Sequence, residues 1–306
     1  MQRYLYHIIC LLSLVIVSSC GDFFESTLDL EIPKAERAMV IHAFPSYADN
    51  RLNISVMRPI PIDVDDSDII DFESPYSLID AEVRLVNTRT GEIRQGVSPE
   101  EEKFFNVFPV NFQIENIGEF FRAGDVYELQ VDHPDFPSAI ATQTMPGQVD
   151  IADPIVFIEQ GGIDESGNEQ SVIDVVIEDP VGTNYYEISV LRARLSGKLD
   201  IKHASSNDPS TLRAGQWDAL LIEDSLFDGE LKSLRLRIEE ESEMDISERY
   251  YISLRTVTED YYNWSLTLRA ANNVDDNPFV APVQIFGNME NGIGIYGLFS
   301  EKKFKM

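Results

Sequence analysis

Apolar residues recur at every second position through much of the chain. Leu52, Ile54 and Val56 alternate with Asn53 and Ser55; Ala81, Val83 and Leu85 alternate with Glu82 and Arg84; Tyr127, Leu129 and Val131 alternate with Glu128 and Gln130. Successive side chains of an extended strand point to opposite sides, so a period of two predicts strands with one face in a core and the other in water. Residues 173–177, 186–190 and 234–238 read the same way, 250–257 form a further β-branched and aromatic run, and a fresh strand opens over 155–158. Turn-forming residues stand between these runs at Thr90-Gly91, Ala123-Gly124-Asp125, Gly161-Gly162, Ser166-Gly167-Asn168 and Asp228-Gly229.

Many short strands separated by such turns predict a mainly β fold of antiparallel β-sandwiches, Ig-like or transthyretin-like, rather than a βαβ arrangement. The alternation stops at Met145-Pro146-Gly147 and resumes near Ile155, which predicts an N-terminal sandwich over 37–148 and a C-terminal one over 149–306. One or two short helices are expected. Asp260 can cap a helix near 260–271, in which Tyr261, Trp264, Leu268 and Ala271 share a face and after which Asn272-Asn273 can end it. Ser98-Pro99-Glu100-Glu101-Glu102 carries the cap, first-turn proline and early acids of a second short helix.

The first twenty residues have a separate logic. Arg3 precedes an apolar stretch from Leu5 to Val17, which is shorter than the roughly 20 residues needed to span a bilayer. Ser18-Ser19-Cys20 follows at once. This order resembles the lipobox of bacterial lipoproteins, so residues 1–19 are expected to be a signal peptide and Cys20 the site of lipid attachment, carrying acyl chains such as palmitate. The alternatives are an ordinary secretory signal or a buried N-terminal helix. Cys10 lies within the apolar stretch and would leave with the peptide, so one cysteine would remain, with neither an intramolecular disulfide nor a cysteine zinc site. Residues 20–36, opening Cys20-Gly21-Asp22-Phe23-Phe24-Glu25, read as a flexible acidic tether and resemble the export signal of surface lipoproteins of the Bacteroidetes.

Charge sharpens this picture. The 306 residues hold 24 Lys and Arg against 53 Asp and Glu, a net charge of -29. Nucleic-acid affinity comes largely from cationic contacts to phosphate, so a nucleic-acid partner is excluded. A hydrophobic content of 43% excludes wholesale disorder.

Candidate chemistry is sparse. Asp63, Asp65, Asp66 and Asp68, followed by Asp71 and Glu73, form the densest carboxylate run and are weak candidates for calcium. They lack the glycine and terminal glutamate of an EF-hand loop, and a solvated acidic loop is the competing reading. Glu239-Glu240-Glu241-Ser242-Glu243 reads as a charged hairpin end. His42, His133 and His203 have no second ligand at metal-binding spacing, and His42 reads as a core or edge residue of its strand. Gly292-Ile293-Gly294-Ile295-Tyr296-Gly297 satisfies the dinucleotide-binding spacing, yet its surroundings are β throughout rather than strand then helix, so no cofactor is expected. No catalytic residue is assigned, and a carboxylate pair meeting only in space stays open as a hydrolase alternative. Tyr261, Tyr262, Trp264, Phe279 and Trp217 could stack on a ligand; Tyr261 and Trp264 equally suit a core-facing helical stripe.

Two regions carry a resemblance. Tyr250-Tyr251, the helix after it, Asn277-Pro278-Phe279, Pro282-Val283 and residues 288–297 form one ordered series. Nearer the N-terminus, residues 39–44, Ala81-Glu82-Val83 and Gly124-Asp125-Val126-Tyr127 lead to Met145-Pro146. Together they resemble DUF4249, a lipoprotein family of the Bacteroidetes with no established reaction and no catalytic residues to transfer. The resemblance implies a two-domain, β-rich outer-membrane lipoprotein beside a TonB-dependent receptor, in which Gly292, Gly294 and Gly297 serve backbone geometry and Asn288 and Asn291 bond their own turns. The expected function is that of a lipid-anchored, surface-exposed, non-enzymatic binding or accessory protein for a TonB-dependent transporter, its ligand left open. A structural or adhesive surface protein is the alternative.

Overall fold

Each run that the sequence reads as a strand falls on one, although ends shift by up to five residues, as where the run from Ile155 to Ile158 is found at Val156–Ile163. In the computed structural model the described residues are 38–48, 50–60, 76–99, 104–105, 108–163, 167, 169–193, 199–213, 219–239, 249–274, 281 and 283–306. Cys20 and the tether, the Asp63, Asp65, Asp66 and Asp68 run, residues 240–243, Trp217 and Phe279 lie outside them. So do residues 100–102 of the second expected helix, whose Ser98-Pro99 start has no regular structure.

The first half holds β1 (Met39–Ser46), β2 (Arg51–Met57), β3 (Glu82–Asn87), β4 (Ile93–Gln95), β5 (Phe104–Phe105), β6 (Phe108–Pro109) and β7 (Phe112–Glu115). A single helical turn, α1 (Ile117–Phe120), leads to β8 (Val126–His133) and β9 (Phe136–Thr144). After a linker come β10 (Val156–Ile163), β11 (Glu169–Glu178), β12 (Tyr185–Ala193), β13 (Leu199–Lys202), β14 (Ala204–Ser205), β15 (Thr211–Arg213), β16 (Leu220–Glu223), β17 (Leu231–Glu239) and β18 (Arg249–Val257). Helix α2 (Glu259–Val274), β19 (Gly292–Tyr296) and β20 (Phe299–Lys305) complete the chain.

Among the described residues two pairs of sheets pack face to face, beside a small β5-β6 hairpin. The sheet β19-β1-β2-β7 faces β4-β3-β8-β9, and their inward residues, among them Ile41, Ile54, Leu85, Tyr127 and Leu129, form one core. The sheet β10-β11-β17-β14 faces β15-β16-β12-β18-β20, with β13 added on β12, around Ile173, Ile188, Leu236 and Leu254. The first sandwich is therefore not built from consecutive chain: β19 returns from the C-terminal region to pair in parallel with β1, Met39 opposite Gly292 and Ala43 opposite Tyr296. A third core, containing Phe44, Leu221, Val257, Tyr261, Trp264, Ile295 and Phe299, packs α2 between the sandwiches, and Arg37–Met306 forms one compact unit. Tyr261, Tyr262 and Trp264 are all buried, so the aromatic stripe of the helix serves packing. Among the described residues no helix is long and apolar enough to cross a membrane.

Local chemistry explains the corrections. The helix starts at Glu259 rather than after an Asp260 cap: the Thr258 carbonyl accepts the Tyr262 N–H at 3.0 Å, while Asp260 accepts hydrogen bonds from the side-chain amides of Gln143 and Asn288. Gly161-Gly162 is no turn; it lies inside β10, where the register against β11 shifts between Ile158 and Gly162, a bulge that glycine tolerates. Gly124 does turn the chain, at φ +80, and delivers Asp125 to the Arg89 guanidinium at 2.5 and 2.8 Å. Those bonds from Arg89, with one from Asn87, hold the Asp125 carboxyl below its usual pKa. The Tyr127 hydroxyl donates to the Phe120 carbonyl and accepts the Arg122 N–H, each at 2.7 Å, which locks the same corner.

Candidate functional site

The site grows out of one sheet that is buried on both faces. On β12, residues 186–191 are all buried, although Tyr186-Glu187-Ile188 reads in sequence as a strand with one wet face. Tyr186 and Ile188 face the sandwich core, and Glu187 takes the opposite face, where α2 and the end of β1 cover it. Strand register then aligns charges: Glu187 pairs with Arg255 of β18, and Arg255 pairs with Glu301 of β20. One step along, Ser189, Ser253 and Lys303 form the next rung.

These rungs floor a cleft of about 600 Å³, roofed by Tyr47 and Asn53 of the first sandwich. Arg255 Nη1 donates to Glu187 Oε1 at 2.7 Å and its Nε to Glu301 Oε1 at 3.2 Å. The Tyr261 hydroxyl donates to the other Glu187 oxygen at 2.8 Å, and the Ser253 hydroxyl to Glu301 at 2.8 Å; Lys303 lies 3.2 Å from Glu301. Arg255 also covers the Phe299 ring at 4.4 Å, and the Tyr47 hydroxyl donates to the Phe299 carbonyl at 2.6 Å. The Glu187 side chain is only 2% exposed, so its charge is tolerable because it is fully paired.

Electrostatics follow from this pairing. Burial opposes the Arg255 charge, but Glu187 and Glu301 outweigh it and hold the guanidinium protonated. Burial likewise pushes the Glu301 carboxyl up, and the nearby Arg255 and Lys303 charges override that and hold it low. Burial, reinforced by the Glu187 charge, raises the Tyr261 phenol, which therefore stays a donor. The floor is thus an internally neutralised set. Its rim is apolar: Leu199 and Ile201 of β13 are each 38% exposed. Such an arrangement suits a ligand with an apolar body and a hydrogen-bonding end.

His42 sits mid-strand in β1, and burial pushes its imidazole down to about 4, which keeps it neutral. The His133 Nδ1 accepts the Asp135 N–H at 3.1 Å, so its Nε2 carries the proton toward Asp80 at 3.0 Å; that ring is a structural clasp. Gly292 and Gly294 lie in β19 and Gly297 just after it, and Gly294 presses against the Ile41 backbone. Asn288 clamps β19, its Nδ2 donating to Asp260 and the Tyr296 carbonyl at 2.8 and 3.0 Å while its Oδ1 accepts the Tyr296 N–H at 2.9 Å.

The structure also assembles carboxylates that no sequence spacing displays. Asp179, Asp224 and Asp228 place oxygens within 4.8 Å of one another, Asp179 and Asp224 being buried. These hard donors would suit calcium rather than zinc. Each already accepts a backbone N–H: Gly229 to Asp179 at 2.7 Å, Asn184 to Asp224 at 2.6 Å and Gly182 to Asp228 at 2.7 Å. Burial, then the charges of Asp179 and Asp228, raises the Asp224 carboxyl despite the Asn184 bonds. A carboxyl raised in the folded state stabilises below its unfolded pKa, and that contribution is lost as pH rises through the folded value, so at neutral pH the cluster costs stability. Asp228→Asn keeps the oxygen that accepts Gly182 N–H and removes one charge. In chelator-containing buffer at pH 7 it is expected to raise stability by about 0.5 kcal/mol, a gain that fades near about pH 3, as urea titrations at the two pH values would show.

A search of curated proteins found no match to this chain. The sequence model of a family described as "Domain of unknown function (DUF4249)" matches residues 25–305. That match covers nearly the whole chain, both sandwiches and the cleft between them, and the protein therefore belongs to the DUF4249 family.

Proposed function

We propose that the protein is a non-enzymatic binding or accessory lipoprotein, anchored in the outer membrane through Cys20, exposed at the cell surface and working beside a TonB-dependent transporter. The cleft between the sandwiches is its contact element. The observation that carries this reading is the self-neutralised floor: both carboxylates are tied to Arg255, so neither is poised as the proton donor that glycoside hydrolysis requires. A neutral, walled cleft with an apolar rim serves recognition. The small-small-cysteine junction after an apolar stretch supports the anchor, and the acidic residues after Cys20 support the surface location.

Mass analysis of the protein from native membranes should show a Cys20 N-terminus with acyl mass, and Cys20→Ala should move it from the membrane to the soluble fraction. Retention of Cys20→Ala in membranes, without acyl mass on the native protein, would refute the anchor. Turnover of a glycan or peptide lost in Glu187→Gln would replace the binding reading with a hydrolase.

A further inference from the structure

A second trough, of about 930 Å³, opens elsewhere at the junction of the sandwiches. Four segments wall it: the end of β9 at 142–144, the linker at 146–149, the β11–β12 turn at 180–185 and the corner from β18 into α2 at 256–260. Its size falls within the roughly 300–1,000 Å³ of small-molecule sites. Hydroxyl and amide side chains dominate the walls, joined by the carboxylates of Glu259 and Asp260, and no lysine, arginine or histidine lines it among the described residues.

The polar groups are held in place. Side-chain amides of Gln143 and Asn288 bond Asp260. The Tyr185 ring lies 4.9 Å from that of Tyr262 at 38°, which fixes it as a rigid aromatic wall. Thr142, Thr144 and Thr183 are exposed. A phosphate, sulfate or carboxylate ligand would meet two acids and no cation here. Ring hydroxyls of a sugar both donate and accept, so they match threonine and amide side chains, and neighbouring hydroxyl pairs suit a fixed carboxylate. The C–H face of a sugar ring suits an aromatic wall.

We infer that this trough is a binding site for a neutral saccharide, with Thr183, Tyr185 and Glu259 as contact residues. The test is isothermal titration of the full chain in detergent with cellohexaose, xylohexaose, maltohexaose and mannohexaose, and with spermidine as a cationic probe. At least one oligosaccharide should bind with a Kd below about 1 mM. Thr183→Val and Glu259→Gln should each weaken it at least tenfold without altering the circular-dichroism spectrum, whereas Ile201→Asp on the rim of the other cleft should leave it unchanged. No binding of any of the four sugars, tighter binding of spermidine, or sugar binding indifferent to both trough variants would overturn the inference. None of these outcomes bears on the charged cleft, which Ile201→Asp probes separately.

Discussion

Arg255→Met is expected to lower the free energy of unfolding by about 3 kcal/mol, measured as the shift in a urea titration. The cause is not the loss of one attractive pair but the stranding of two acids. Glu187 and Glu301 lie on strands flanking β18, both largely buried, and Arg255 reaches each of them. Removing one member of a buried charged set typically costs roughly 3–5 kcal/mol, and the low end applies because Arg255 keeps partial access to water. Lys303 cannot replace it, being committed to the other oxygen of Glu301. Replacing all three charges together, as Glu187→Gln, Arg255→Met and Glu301→Gln, should restore more than half of the loss, since uncharged residues of similar volume need no compensation. A single-variant loss below about 1 kcal/mol would show that water already solvates the floor of the cleft.

Gly294→Ala should be at least as damaging, costing about 3 kcal/mol or more, and in cells it should reduce the yield of folded protein. Two independent obstacles meet at this residue. Its φ of +111 is a conformation that side-chain-bearing residues rarely adopt, and a Cβ there would collide with the Ile41 carbonyl oxygen and lie 2.9 Å from the carbonyl carbon. The collision acts across the parallel β19–β1 pairing, so the first sandwich would lose the strand that ties it to the C-terminal region. Gly124→Ala is the control. Gly124 also has a positive φ, +80, but nothing lies within 4 Å of a Cβ placed on it, so only backbone strain of about 1 kcal/mol is expected. Equal losses in the two variants would mean that the close approach to Ile41 contributes nothing.

These two sites differ in how far sequence exposes them. The glycine series was visible as a backbone feature, because three glycines within six residues amid a β pattern have few other uses. What the pattern could not show was which strand they approach, since β1 lies some 250 residues earlier in the chain. Strand positions such as 52–56, 127–131 and 186–190 were legible because alternation is local, and the buried helix stripe of Tyr261 and Trp264 because its spacing is local too. The cleft was not legible. Alternation assigns Glu187 to a wet face, and only the packing of α2 and β1 over that sheet buries it. Its partners lie 68 residues away, at Arg255, and a further 46 beyond that, at Glu301. The Asp179, Asp224 and Asp228 cluster leaves no local spacing for the same reason, whereas the conspicuous Asp63 run lies outside the described residues.

Purification of the natively anchored protein from detergent-solubilised membranes, with identification and stoichiometry of whatever accompanies it, bears most directly on the proposed function. The expected result is a large β-barrel receptor of the TonB-dependent class in near-equal amount, released by Ile201→Asp while the variant stays folded and membrane-bound. Recovery of the protein alone, or as self-assembled polymers, would contradict it.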